Sequence, residues 1–165
     1  DVYKRQYLRQ MYEAGAKGYF DALGVHAPGY KAPPEVSPDE AAANKEKYGG
    51  ERFFCFRRVE DLRAIMVEYG DADTQVVVLE LGWTTDPRPD SPYHWHAVTE
   101  QQQADYLVRA YKWAREHWSP WIGLMCTIYI ADPDWDENDE QYYWSIILPD
   151  GRARPAYAAL VQMPK

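Results

Sequence analysis

The chain has 165 residues, a net charge of −8 and 15% aromatic residues. That length suits one domain with a sizeable core, and the acidic balance argues against nucleic acid or an anionic membrane as a partner. No stretch is long and apolar enough to span a membrane, and two cysteines, Cys55 and Cys126, do not make a disulfide framework.

The opening hexapeptide, Asp1-Val2-Tyr3-Lys4-Arg5-Gln6, resembles the translation of a transposon-end adapter used in sequencing libraries. It is expected to be a scar outside the fold, with native sequence over residues 7–165. Leu8, Met11 and Tyr12 stand at helical spacing and Gly15 follows as a stop, so a helix is predicted over Tyr7–Ala16. Tyr19–His26 reads as a short strand with His26 at its C-terminal end. Residues 27–50 form a long loop rich in Pro and Gly, and Tyr30 in it is a candidate to line a cleft. Within that loop Ser37 is a predicted N-cap and Pro38 a first helical residue.

Val59, Leu62, Ile65, Met66 and Tyr69 mark an amphipathic helix ended by Gly70. A short polar turn leads to Gln75–Glu80, where Val76, Val77, Val78 and Leu79 predict a strand buried on both faces of a parallel sheet. A carboxylate at the end of such a strand is costly unless it is solvated, hydrogen-bonded or used. Glu80 is therefore either a catalytic candidate, because the C-terminal ends of barrel strands carry catalytic side chains, or a structural carboxylate that pairs with an Arg or caps a helix. Gly82 is expected to turn the backbone out of the strand, and Trp83 to offer a flat apolar face beside the carboxylate.

The loop Thr84–Val98 contains Tyr93-His94-Trp95-His96. His-x-His without a placed third ligand is a weak metal signal, so a cleft-edge loop carrying Trp95 is the favoured reading. Thr99 and Gln102 predict a capping box for a helix whose buried face is Ala104, Leu107, Val108, Tyr111 and Trp118. After Pro120, Trp121–Ile130 reads as a third buried strand that delivers Tyr129 and Asp132 to the same end as His26 and Glu80. Asp132, Asp134 and Asp136 have calcium-like spacing, but Glu137 stands where the EF-hand needs Gly and Tyr143 where it needs Glu, so a solvated acidic loop is expected. Tyr142–Ile147 is expected to be a short strand or a loop over the barrel rim. Pro155 opens a last helix with Tyr157, Leu160 and Val161 inward.

Helices alternating with three buried strands predict an α/β fold with a parallel sheet. Three strands do not close a barrel, and a complete (β/α)₈ barrel takes about 250 residues. The chain is therefore expected to be a partial TIM barrel, roughly the last three and a half βα units, strands six to eight. A doubly wound open sheet is the other topology, without a Gly-rich phosphate loop to support a dinucleotide version.

Residues 7–162 resemble the C-terminal half of a clan A glycoside hydrolase, cellulase-like or xylosidase-like. The matching stretches are Tyr19–His26, Val76–Trp83, Trp121–Pro133 and the closing Tyr143–Leu160. The resemblance implies a retaining glycosidase acting on a carbohydrate, with Glu80 as nucleophile and the acid/base glutamate on an absent upstream strand. It implies a cleft-facing role for His26, and no cofactor is expected. Leu79 and Leu81 stand where the family often has Thr and an aromatic residue, and Ile128-Tyr129-Ile130 where it often has a sugar-flooring Trp, so either Tyr129 substitutes for that floor or the floor is lost. Tyr30, Trp83 and Trp95 are the remaining candidates for stacking on substrate. The alternatives are a barrel that binds carbohydrate without cleaving it, and a metal-dependent hydrolase using His94 and His96.

Overall fold

The structure is a computed structural model that describes residues 2–164. It contains α1 (Val2–Glu13), β1 (Ala22–His26), α2 (Pro38–Ala43), α3 (Lys45–Tyr48), α4 (Val59–Glu68), β2 (Gln75–Leu81), α5 (Glu100–His117), β3 (Ile122–Thr127), α6 (Glu140–Trp144) and α7 (Pro155–Gln162). The three strands form one parallel sheet in the order β1-β2-β3. The fold is thus α/β, with helices carrying each crossover.

The ends of these elements follow local chemistry. Ser37 caps α2 by accepting from the Glu40 amide, with Pro38 in the first turn. Thr99 and Gln102 form a complete capping box on α5. Helix α1 starts ahead of Tyr7 and includes residues 2–6 of the adapter-like hexapeptide, while Asp1 lies outside the described residues. Arg5 of that hexapeptide donates to Asp61 of α4 at 3.1 Å. Tyr12 stacks on Tyr69 at 5.0 Å, and its hydroxyl donates to the buried Asp71 carboxylate at 2.7 Å.

The core lies on one side of the sheet only. Val76, Val78 and Leu81 of β2 pack against Ile65 and Met66 of α4 and Ala104, Leu107 and Ala110 of α5. On the other side Leu79 is 48% exposed and Leu124 is 57% exposed. This corrects the expectation of a strand buried on both faces: the helices cover one face, and nothing among the described residues covers the other. The last helix also differs from expectation. Tyr157 and Val161 face solvent, while Ala156, Ala159 and Leu160 pack inward. Tyr142–Ile147 is not a strand: α6 takes residues 140–144, and Ile147 makes isolated bridges to Ile130 and Ala153.

Candidate active site

Parallel strands end at one edge of the sheet, and that edge brings the chemistry together. His26 is the last residue of β1 and pairs in register with Glu80 near the end of β2. The register shifts between Val25 and His26, skipping Leu79. A bulge of this kind re-aims side chains. Without it, alternation from Val76 and Val78 would turn Glu80 into the helix layer. With it, Leu81 takes the buried position and Glu80 stays 37% exposed at its side chain. The Glu80 carbonyl accepts from the Ala27 amide at 2.8 Å, which fixes the backbone at this point. His26 Nδ1 then lies 3.0 Å from Glu80 Oε2, an ion-pair contact when the imidazole is protonated.

Tyr129 follows β3 after a cis peptide bond to Ile128. Its ring meets Trp135 edge-on at 5.5 Å. Burial, then the negative field of Glu80 and of Glu140, pushes its phenol above the ordinary value. The structure therefore groups His26, Glu80 and Tyr129, each from a different strand end. Asp132 stands apart, exposed, accepting from the Asp134 amide in a turn.

Trp83 does not offer a face to the cleft. It is fully buried, and its Nε1–H donates to the Ala32 carbonyl at 2.9 Å. Its indole lies across Gly29, where a Cβ would sit 1.9 Å from the ring, and it meets Tyr106 edge-on at 5.6 Å. Trp83 is a core residue, because the chain leaving β2 folds back under the loop that leaves β1. Gly82 likewise serves packing: a Cβ there would meet Ile128 Cγ1 at 2.9 Å and Trp144 at 3.2 Å, and its φ is not positive. Tyr30 and Trp95 do meet, in an aromatic group with Phe53 and Phe54.

His94 and His96 fall in a short 3-10 turn and separate. His94 is exposed, whereas His96 is buried, which pushes its imidazole down to about 4. Among the described residues no three His, Cys, Asp or Glu side chains are grouped to hold a metal, the acidic loop included.

Three polar residues that the sequence reading did not single out shape this end. Arg58 is 5% exposed and, with His26, lines a groove of about 870 Å³ between α1 and β1. It makes no ion pair among the described residues, and burial pushes its guanidinium below the usual range. Nothing in Arg57-Arg58 marks which of the two is buried. Asp86 is fully buried beneath Arg88, which also donates to the Glu137 and Asn138 carbonyls and so ties the loop after β2 to the loop after β3. Gln103 is fully buried and donates to the Trp83 carbonyl at 2.8 Å. Its signal was present: a polar residue one helical turn before Leu107 on the apolar face of α5.

Comparison with protein-family models and with curated proteins finds no match. Among solved structures the chain is similar to a family 39 glycoside hydrolase from the gut symbiont Bacteroides cellulosilyticus WH2, at 20% identity and a TM-score of 0.55. The alignment covers 92% of this chain and 29% of that one, so the chain spans under a third of that protein's length. What the two share is the fold over that stretch.

Proposed function

We propose that this chain carries the nucleophile-bearing strands of a retaining glycoside hydrolase built on a (β/α)₈ barrel. The observation that carries this reading is the His26–Glu80 contact at the C-terminal ends of two adjacent parallel strands, on the face the helices leave open. Two open sheet edges and the exposed Leu79 and Leu124 support the barrel: further strands would cover them.

In the proposed reaction a Glu80 carboxylate oxygen attacks the anomeric carbon. The bond from that carbon to the leaving oxygen breaks, and a second carboxyl, about 5–5.5 Å away on an upstream strand, donates a proton to the leaving group. Water then attacks the glycosyl ester, gives its proton to that second carboxylate and frees Glu80. His26 holds the Glu80 carboxylate in orientation, and Tyr129 borders the sugar at the end of β3.

The test uses the full-length parent protein and a 2-deoxy-2-fluoro aryl glycoside, which traps the covalent intermediate. Mass spectrometry of the labelled protein is expected to place the sugar on Glu80, and Glu80→Gln to lower kcat by several orders of magnitude. A label on another carboxylate refutes the assignment. Sugar binding without hydrolysis replaces it with the binding-only barrel.

A further inference from the structure

Arg58 is a buried cation without a counter-ion. It stands at the start of α4, the helix that follows β1, and so at the end of the sheet where His26 and Glu80 lie. It is 5% exposed. A lone charge is costly to take out of water, so buried charges are normally paired. The carboxylates beside it in sequence are already engaged. Glu60 accepts from Arg57 and from the Trp118 Nε1–H. Asp61 accepts from Arg52 and Arg5. What touches Arg58 is neutral: the Tyr30 hydroxyl, and the Phe53 ring with its centroid 5.8 Å from Cζ.

This charge faces the groove between α1 and β1. Leu8, Met11, Leu23 and Leu62 make much of the groove apolar, and Arg58 and His26 lie in it together. Lys4 lines it too. Burial, then the Arg58 charge, pushes the Lys4 ammonium below its ordinary value, and Glu80 offsets this only in part. Two cations thus share one groove in a chain of net charge −8. The charge balance calls for a carboxylate from outside the described residues.

The backbone beside the groove calls for a strand. β1 is the first strand of the sheet, and its outer edge pairs with nothing among the described residues. Its five residues offer an edge of about 16 Å. An unpaired edge beside an apolar trough is a template for one more strand: main-chain hydrogen bonds hold it, and alternate side chains fill the trough.

We propose that the outer edge of β1 receives a parallel strand from an upstream part of the same polypeptide, and that an Asp or Glu at the C-terminal end of this strand pairs with Arg58. This rests on the barrel reading above but not on the chemistry at Glu80. The apolar side chains of the incoming strand fill the groove, and its carboxylate meets the guanidinium where water is already excluded. The pair also fixes register. A slip of one residue turns every side chain of the strand to the other face and takes the carboxylate away from Arg58. Arg58 is thus a positioning residue that aligns the next strand end with His26.

The experiment uses the full-length protein without ligand. Arg58→Met is compared with the unmutated protein by urea unfolding. If a carboxylate pairs with Arg58, the variant strands a buried anion, and the folding equilibrium constant is expected to fall about 100-fold or more. Arg58→Lys should recover part of the loss. If Arg58 is unpaired in the folded protein, Arg58→Met removes a lone buried charge and folds as well or better, which overturns the proposal. Should Arg58→Met not fold, carbodiimide treatment of Arg58→Lys decides: it joins the introduced amine to the carboxyl it touches. Peptide mapping must place the amide on an upstream Asp or Glu; an amide to Glu80 or another described carboxylate, or none, overturns the pairing. Hydrogen exchange of the unmutated protein separates the two levels of the reading. Peptides over Ala22–His26 must be protected as fully as those over Gln75–Leu81. Fast exchange there means that no strand covers β1, and the barrel falls with the proposal. Slow exchange with a stable Arg58→Met keeps the barrel and removes the ion pair. None of these readouts uses glycoside cleavage, so a failed Glu80 assignment leaves them standing.

Discussion

Asp86 provides a quantitative test of how the loops around the site are held. Burial pushes its carboxyl up, but hydrogen bonds from Arg88 and Ser91 and the Arg88 charge outweigh that and bring it from 3.8 down to about 2. At about 1.36 kcal/mol per pH unit, that difference corresponds to roughly 2.5 kcal/mol of stability. Its folded value is depressed, so the contribution is complete above the unfolded value near 3.8 and is lost as pH falls through about 2. Asp86→Asn removes it while keeping the size of the side chain. Urea unfolding of the full-length protein and the variant, followed by tryptophan fluorescence, measures the difference. We expect a loss of about 2–3 kcal/mol at pH 7 that stays constant down to about pH 4 and shrinks below it. A loss under about 0.5 kcal/mol, or one equally large at pH 2 and pH 7, refutes the account, because the carboxylate would then not be held by charge.

Two further perturbations address the site and its frame. Trp83→Phe deletes the bond to the Ala32 carbonyl and part of a buried indole, so it should cost about 1–3 kcal/mol in urea unfolding. KM for short glycosides should stay unchanged, whereas a substrate-stacking Trp83 would show the reverse pattern. Residues 7–165 expressed alone should aggregate, because the sheet has unpaired edges and an apolar open face; a monomer with one cooperative melting transition in scanning calorimetry would contradict the half-barrel reading.

Periodicity and caps were legible in the sequence because they are local. The run Val76–Val78 specified a strand, Thr99 and Gln102 specified the start of α5, and the apolar face of α4 follows the spacing of Val59, Ile65 and Met66. The positions of His26 and Glu80 at strand ends were also legible, since a charged or titratable residue closes each apolar run. The bulge that sets them side by side was not, because it depends on how two strands far apart in sequence slip past one another. The burial of Trp83 is hidden from the sequence for the same reason. One residue beyond a strand end, an indole faces either the cleft or the core, and the deciding contact is Gly29, more than fifty residues away in the chain. Arg58 and Arg57 look equivalent in sequence, yet one stacks on Trp113 while the other is buried beside Phe53 and Tyr30. Tertiary context alone separates them.

Strand order here equals chain order, and each strand bonds only to its neighbour in sequence. The outer edges of β1 and β3 pair with no further strand among the described residues. An edge of this kind is filled by hydrogen bonds, not by peptide continuity. A separately synthesised polypeptide that presents the right extended segment meets the same donors and acceptors as one joined covalently. What fills such an edge is therefore set by register, while His26 and Glu80, on two strands that pair with each other, keep their mutual geometry.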